Sequence, residues 1–269
     1  MDTAMSSRLR LLIVTLLKPS GRPAGTGFEG MPIQMPATRL RVIRKYATMV
    51  VVSLRREGVR QCLAQMAAEW SFDRRHGLSA FLPREIGTRD LVPGFCAADA
   101  VQYQGVDPRI AFRVLGALPR GLHSSATFVD YGCGKARGLA VGMLFGFRKL
   151  MGVEVCPDLA VIAERNLRRL RDRHPEAQVE IVQQDAARFV PPDGPLVAFL
   201  YNPFLGDTLE RVAERLGNHA RSAPVWVVYI NPRGSSAFMR QGFRCRAAWD
   251  GERAVLLEAD PTGSRQAGS

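Results

Sequence analysis

The 269-residue chain has few cysteines, and they stand apart, at positions 62, 96, 133, 156 and 245. There is no CxxC pair and the count is odd. That excludes a disulfide framework and a zinc-ligand set, and points to a reducing, cytoplasmic setting. Long apolar runs are missing as well. The stretch from Leu11 to Leu17 is closed by Lys18 after seven residues, where a bilayer span needs about 20. Arg8 and Arg10 precede it in the manner of a signal peptide, but no A-x-A-like cleavage site follows. The residues that do follow, Lys18-Pro19-Ser20-Gly21-Arg22-Pro23, have linker composition. The four histidines at 76, 123, 174 and 219 are scattered and belong to no recognisable motif. There is no internal repeat and no low-complexity tract.

Acidic residues are scarce at one end. Residues 1–60 hold 11 Lys/Arg against 3 Asp/Glu, a balance of +8, out of a net +12 for the chain. Such a basic arm suits contact with an acidic partner, a nucleic acid or a membrane surface, or it is simply a solvated extension. With 46% hydrophobic residues, the length suffices for one large domain and an appendage. The expected organisation is a basic, weakly ordered extension over 1–38, a helical and loop-rich segment over 39–120, a core domain over 121–260 and a disordered tail over 261–269.

The helical segment is read from Leu40, Ile43, Ala47, Val50, Val51 and Leu54, which recur at three and four. The helical pattern runs to Trp70, broken at Gly58, and residues 71–100 read as loop. Pro108 to Leu118 reads as another helix. Beyond it the texture changes. Short apolar strands (128–130, 150–155, 179–182, 196–201 and 225–230) alternate with helices over 137–147, 157–171 and 207–219. That alternation implies a parallel sheet covered on both faces. Two last strand-like runs, 243–249 and 253–259, flank Asp250-Gly251, a strong hairpin signal. The fold class is therefore α/β, with a mostly parallel seven-stranded sheet ending in an antiparallel hairpin.

The chemistry concentrates where strands end. Asp130-Tyr131-Gly132-Cys133-Gly134-Lys135-Ala136 joins the first strand to a helix. Glycines there let the backbone turn sharply and approach a ligand, and the helix amino terminus favours a carboxylate. Asp130 can face an ammonium group. Glu154 ends the second strand, where an acid can accept both hydroxyls of a ribose. Asp185, in Gln184-Asp185-Ala186, follows the third strand and can accept a hydrogen bond from an adenine amino group. A surface aspartate in a turn would be the plain alternative, but three acids at consecutive strand ends fit the rule that ligands bind at those ends.

Together these residues resemble the class I S-adenosylmethionine-dependent methyltransferases, over roughly residues 100–260. The resemblance implies S-adenosyl-L-methionine as cofactor and Asp130, Gly132, Cys133, Gly134, Glu154, Asp185 and Ala186 at its site. Ala136 departs from the pattern, because many members have a third glycine there. Asn202-Pro203-Phe204, after the fourth strand, resembles the Asn/Asp-Pro-Pro-Tyr/Phe motif of amino-group methyltransferases, with one proline missing. With Tyr103-Gln104-Gly105 upstream it also faintly resembles the non-SET histone-lysine methyltransferases. Asn202 is accordingly the candidate catalytic residue, holding an acceptor nitrogen or the cofactor's methionine end. Its alternative is a turn former. Phe204 is either a wall of the acceptor pocket or a core residue. The expected reaction is methyl transfer to nitrogen or oxygen of an acceptor that could be protein, nucleic acid or small molecule. The segment 39–120 would be lid and acceptor surface. An NAD-dependent oxidoreductase and an inactive S-adenosylmethionine-binding module are the competing readings.

Overall fold

The computed structural model describes residues 58–81, 105–201, 204–249, 251 and 253–261. The basic extension, the stripe over 40–54, the tail beyond Pro261 and Asn202 therefore lie outside the described residues. Helix α1 spans Val59–His76 and α2 spans Pro108–Leu115, followed by the short α3, Leu122–Ser125. The α/β part then runs β1 (Thr127–Tyr131), α4 (Arg137–Phe145), β2 (Lys149–Glu154), α5 (Pro157–Arg171), β3 (Gln178–Gln183), β4 (Leu196–Tyr201), α6 (Gly206–His219), β5 (Val225–Ile230), α7 (Ser235–Arg240), β6 (Arg244–Trp249) and β7 (Ala254–Ala259).

The seven strands form one sheet in the order β3-β2-β1-β4-β5-β7-β6. The first five are parallel; β7 runs antiparallel to β5, and β6 antiparallel to β7. Strands β1, β4 and β5 are buried along their length except for the last residue of β4, because helices cover both faces. Alternation within each strand divides the core. Phe128, Leu150, Phe199 and Val228 pack with α2, α4 and α5 on one face. Val129, Val153, Leu200 and Tyr229 pack with α6 and α7 on the other. Among the described residues no helix is long and apolar enough to cross a membrane.

The local signals explain most of the boundaries. Asp107 caps α2 by accepting the Arg109 amide at 2.9 Å, with Pro108 in the first turn. Pro157 opens α5, which carries Asp158 in its first turn and Arg168, Arg169 and Arg171 in its last, in line with the helix dipole. The main difference from the sequence reading is in α1. The helix continues six residues past Trp70 to His76, where Gly77 closes it in the left-handed conformation. The continuation is polar by composition, but Asp73 within it is buried and ion-paired. A tertiary partner thus holds a turn that local pattern assigns to a loop. Helices α3 and α7 have no counterpart in the sequence reading, being too short to show a period.

Candidate functional site

The carboxyl ends of β1, β2 and β3 gather the glycine loop and the strand-end acids on one edge of the sheet. Reversal of strand order between β1 and β4 puts the topological switch at the same edge, the usual ligand crevice of an open α/β sheet.

The loop leaves β1 with Gly132 and Gly134 in the left-handed region (φ 73° and 55°). The Gly132 and Cys133 amides donate to the Val153 carbonyl at 2.8 and 3.0 Å, which ties the loop to β2. Gly132 is exposed at the lip, while Cys133 and Gly134 are buried. The Cys133 thiol lies inside, and burial pushes its pKa well up. Any contribution from Cys133 to a ligand comes through its backbone. Ala136 begins α4 with φ 67°. The missing third glycine therefore stands at a position whose conformation favours glycine, a strain of about 1–2 kcal/mol.

Asp130 lies beneath the loop. Its carboxylate accepts the Leu139 amide of α4, and a Cβ at residue 138 would collide with it, so Gly138 is what lets helix and acid meet. Burial, followed by the charge of Glu154, pushes its pKa up to about 8. Glu154 accepts the Gly134 amide through Oε2 and the Cys156 amide through Oε1, both at 2.8 Å. Burial raises its pKa also, against those amide bonds. No salt bridge joins either acid to a basic side chain among the described residues. Asp185 is half-buried and accepts the Ala187 amide at 2.9 Å, which shapes the turn after β3, and Ala186 is buried beside it.

The structure thus brings Asp130, Gly132, Cys133, Gly134 and Glu154 together at one loop, with Asp185 and Ala186 on the adjoining strand end. Asn202 lies outside the described residues. Phe204 is buried in the core with Leu200 and Leu209, so it is a core residue and not an exposed wall of an acceptor pocket.

Sequence reasoning missed the support beneath this loop. Arg137, the first residue of α4, is fully buried. Its guanidinium donates to Glu69 at 2.7 Å, to both oxygens of Asp73 at 3.0 and 3.1 Å, and to the Val106 carbonyl at 3.2 Å. Burial raises the Glu69 pKa, and Arg137 opposes that rise. Asn166 of α5 is buried and bridges the Lys135 carbonyl (2.9 Å) to the Ser79 amide (3.0 Å). The one available signal was the spacing of Glu69 and Asp73, four residues apart on one helix face.

One feature decides the fold. Strand β7 enters antiparallel between β5 and β6, which a plain dinucleotide-binding sheet lacks. This is the Rossmann-like sheet of the class I methyltransferases. No protein-family model matches the chain, and no curated protein matches it. Among solved structures it is similar to a ribosomal protein L11 methylase from Lactobacillus delbrueckii subsp. bulgaricus, with 15% identity, 56% of this chain and 76% of that one covered, and a TM-score of 0.41. A glycopeptide N-methyltransferase complexed with S-adenosylmethionine shares 12% identity, with 65% and 99% covered and a TM-score of 0.44. A putative methylase from Haemophilus influenzae shares 17%, with 56% and 96% covered and a TM-score of 0.41. The strand order, not these distant likenesses, carries the fold.

Proposed function

We propose that the chain is a methyltransferase using S-adenosyl-L-methionine, with nitrogen or oxygen of the acceptor as the atom methylated. The observation that carries this is the pair of buried acids at the glycine loop, Asp130 and Glu154, neither offset by a basic side chain among the described residues. Such a site favours a cationic ligand. S-adenosylmethionine carries an ammonium and a sulfonium, whereas the pyrophosphate of NAD would bring two negative charges against the acids. The antiparallel β7 favours the same choice. The loop fits the cofactor in its other parts too, since amides at the start of α4 suit its carboxylate.

In this reading Asp130 faces the ammonium, Glu154 the ribose hydroxyls and Asp185 the adenine amino group. The Gly132–Gly134 turn gives the backbone its close approach. When bound, the cofactor supplies a methyl group already activated on sulfur. The protein then has to align acceptor and methyl and exclude water, and no general base is required for a neutral nucleophile. Asn202, after β4, is the candidate to hold an acceptor nitrogen, in the manner of amino-group or non-SET lysine methyltransferases. The basic residues of the first 60 are proposed to meet an acidic partner or membrane surface, and a cytoplasmic location fits the isolated cysteines.

Calorimetry with S-adenosylmethionine, S-adenosylhomocysteine and NAD tests the cofactor. The first two should bind and NAD should not. Glu154→Ala and Asp185→Ala should each weaken S-adenosylmethionine binding by about 1–3 kcal/mol, the cost of unmet polar partners. Unchanged affinity in both folded variants would overturn the assignment. Turnover of labelled cofactor with a lysate separates an enzyme from an inactive binding module.

A further inference from the structure

The other half of the ligand edge has its own cavity. Because β7 runs antiparallel, its first residue, Ala254, pairs with Ile230, the last residue of β5. The segment leaving β5 and the turn of the β6–β7 hairpin therefore meet at the carboxyl edge. Between them lies a cavity of about 350 Å³ lined by Asn231, Pro232, Arg233, Trp249, Arg253 and Val255.

Three observations mark it as built. First, both facing segments hold a non-glycine residue in the left-handed region, Asn231 (φ 56°) and Arg253 (φ 47°). Asparagine tolerates this conformation; arginine lacks the short polar side chain that makes it tolerable. Such residues persist where the surroundings enforce them, and they cluster at binding sites. Second, the two are locked together, with the Asn231 amide donating to the Arg253 carbonyl at 2.6 Å. The Arg233 amide is held in turn by the buried Tyr229 hydroxyl at 3.4 Å. Third, the lining is chemically one-sided. Its described residues offer two guanidiniums, an indole and an amide, and no acid among them. No salt bridge joins Arg233 or Arg253 to a carboxylate among the described residues.

We infer that this cavity binds a planar, anion-bearing small molecule, by a carboxylate or phosphate held between Arg233 and Arg253 and an apolar frame laid against Trp249. A guanidinium matches both anions through paired N–H donors. The volume stands at the small end of ligand pockets, about 300–1,000 Å³, and so suits a small molecule better than a folded partner. Strand β5 is two strands from β1, roughly 10 Å at about 4.8 Å per strand. An anion here anchors a ligand by the end remote from the cofactor loop. Its identity as the methyl acceptor rests on the methyltransferase reading; its anion chemistry does not.

The test titrates the full chain with benzoate, phenyl phosphate and neutral benzamide, each with and without S-adenosylhomocysteine. Benzoate and phenyl phosphate should saturate with Kd on the order of millimolar, and benzamide should not. Whichever anion binds more tightly identifies carboxylate or phosphate as the natural group. Arg233→Met and Arg253→Met should each weaken the anions about tenfold or more, while S-adenosylhomocysteine affinity stays as in the wild type. Benzamide binding as well as benzoate, neither anion saturating, or both variants binding as the wild type does would each overturn the inference. Anions that bind a chain indifferent to S-adenosylhomocysteine would overturn the cofactor reading and leave the anion site standing.

Discussion

The two halves of the sheet's ligand edge are built on opposite plans. Over β1 and β2 the acids Asp130 and Glu154 are buried, the amides of Gly132, Cys133 and Gly134 each have an acceptor, and a second layer of ion pairs lies beneath. Over β5–β7 the described charges at the cavity are basic, Arg233 and Arg253 are exposed, and two residues hold strained backbone there. The first plan suits one fixed, cationic cofactor. The second suits a ligand of opposite charge that enters and leaves. Fixed and variable parts of the proposed reaction are thus carried by different strands, with β4 between them in the sheet.

The largest expected effect tests how rigid the first half is. Arg137→Met leaves Glu69 and Asp73 buried with their partner gone, and should destabilise the fold by about 3–5 kcal/mol, read by chemical denaturation. Arg233→Met, on the exposed side, should stay within about 0.5 kcal/mol of the wild type. Equal losses in the two variants would abolish the contrast.

A middle-sized effect lies in pH. Asp130, with its pKa at about 8, is protonated in the free protein below that value, and an ammonium beside it favours the ionised form. Cofactor binding between pH 6 and 8 must then expel a proton. Affinity should rise with pH across that window by up to about tenfold per unit and level off above about pH 8. Calorimetry in buffers of different ionisation enthalpy reads the proton directly, and Asp130→Asn should remove it. Benzoate binding should be flat over the same range. No proton release would mean that Asp130 does not face the cation.

The smallest effect sharpens the comparison of strain. Ala136→Gly should stabilise the fold by about 0.5–1 kcal/mol and leave anion binding unchanged. Arg253→Gly should also relieve left-handed strain, but at the expense of benzoate binding. If neither substitution raises Tm, the two positions are not strained.

How much of this was legible in the sequence follows from the range of each signal. The five parallel strands, the closing hairpin, the glycine turn and the strand-end acids were readable, because each depends on residues within a few positions of one another. Helix α5 was found to the residue, since Pro157 marks its start and its amphipathic period is long. The end of α1 was not, because Asp73 owes its helical turn to Arg137, 64 residues away. The cavity at Asn231 and Arg253 was invisible for the same reason. Only the antiparallel insertion of β7 brings those segments together, and neither carries a motif. Phe204 could be read both ways because burial is not encoded in the residue itself.

The buried guanidinium of Arg137 also bears on how the molecule opens. Opening α1 alone would leave a full positive charge in the interior, and opening α4 alone would leave two negative ones. The two helices are therefore expected to unfold as one cooperative unit. Their backbone amides would exchange with deuterium at a common free energy, although one helix precedes the sheet and the other is wound into it. Cofactor binding at the loop would slow exchange in α1, which does not belong to the α/β core.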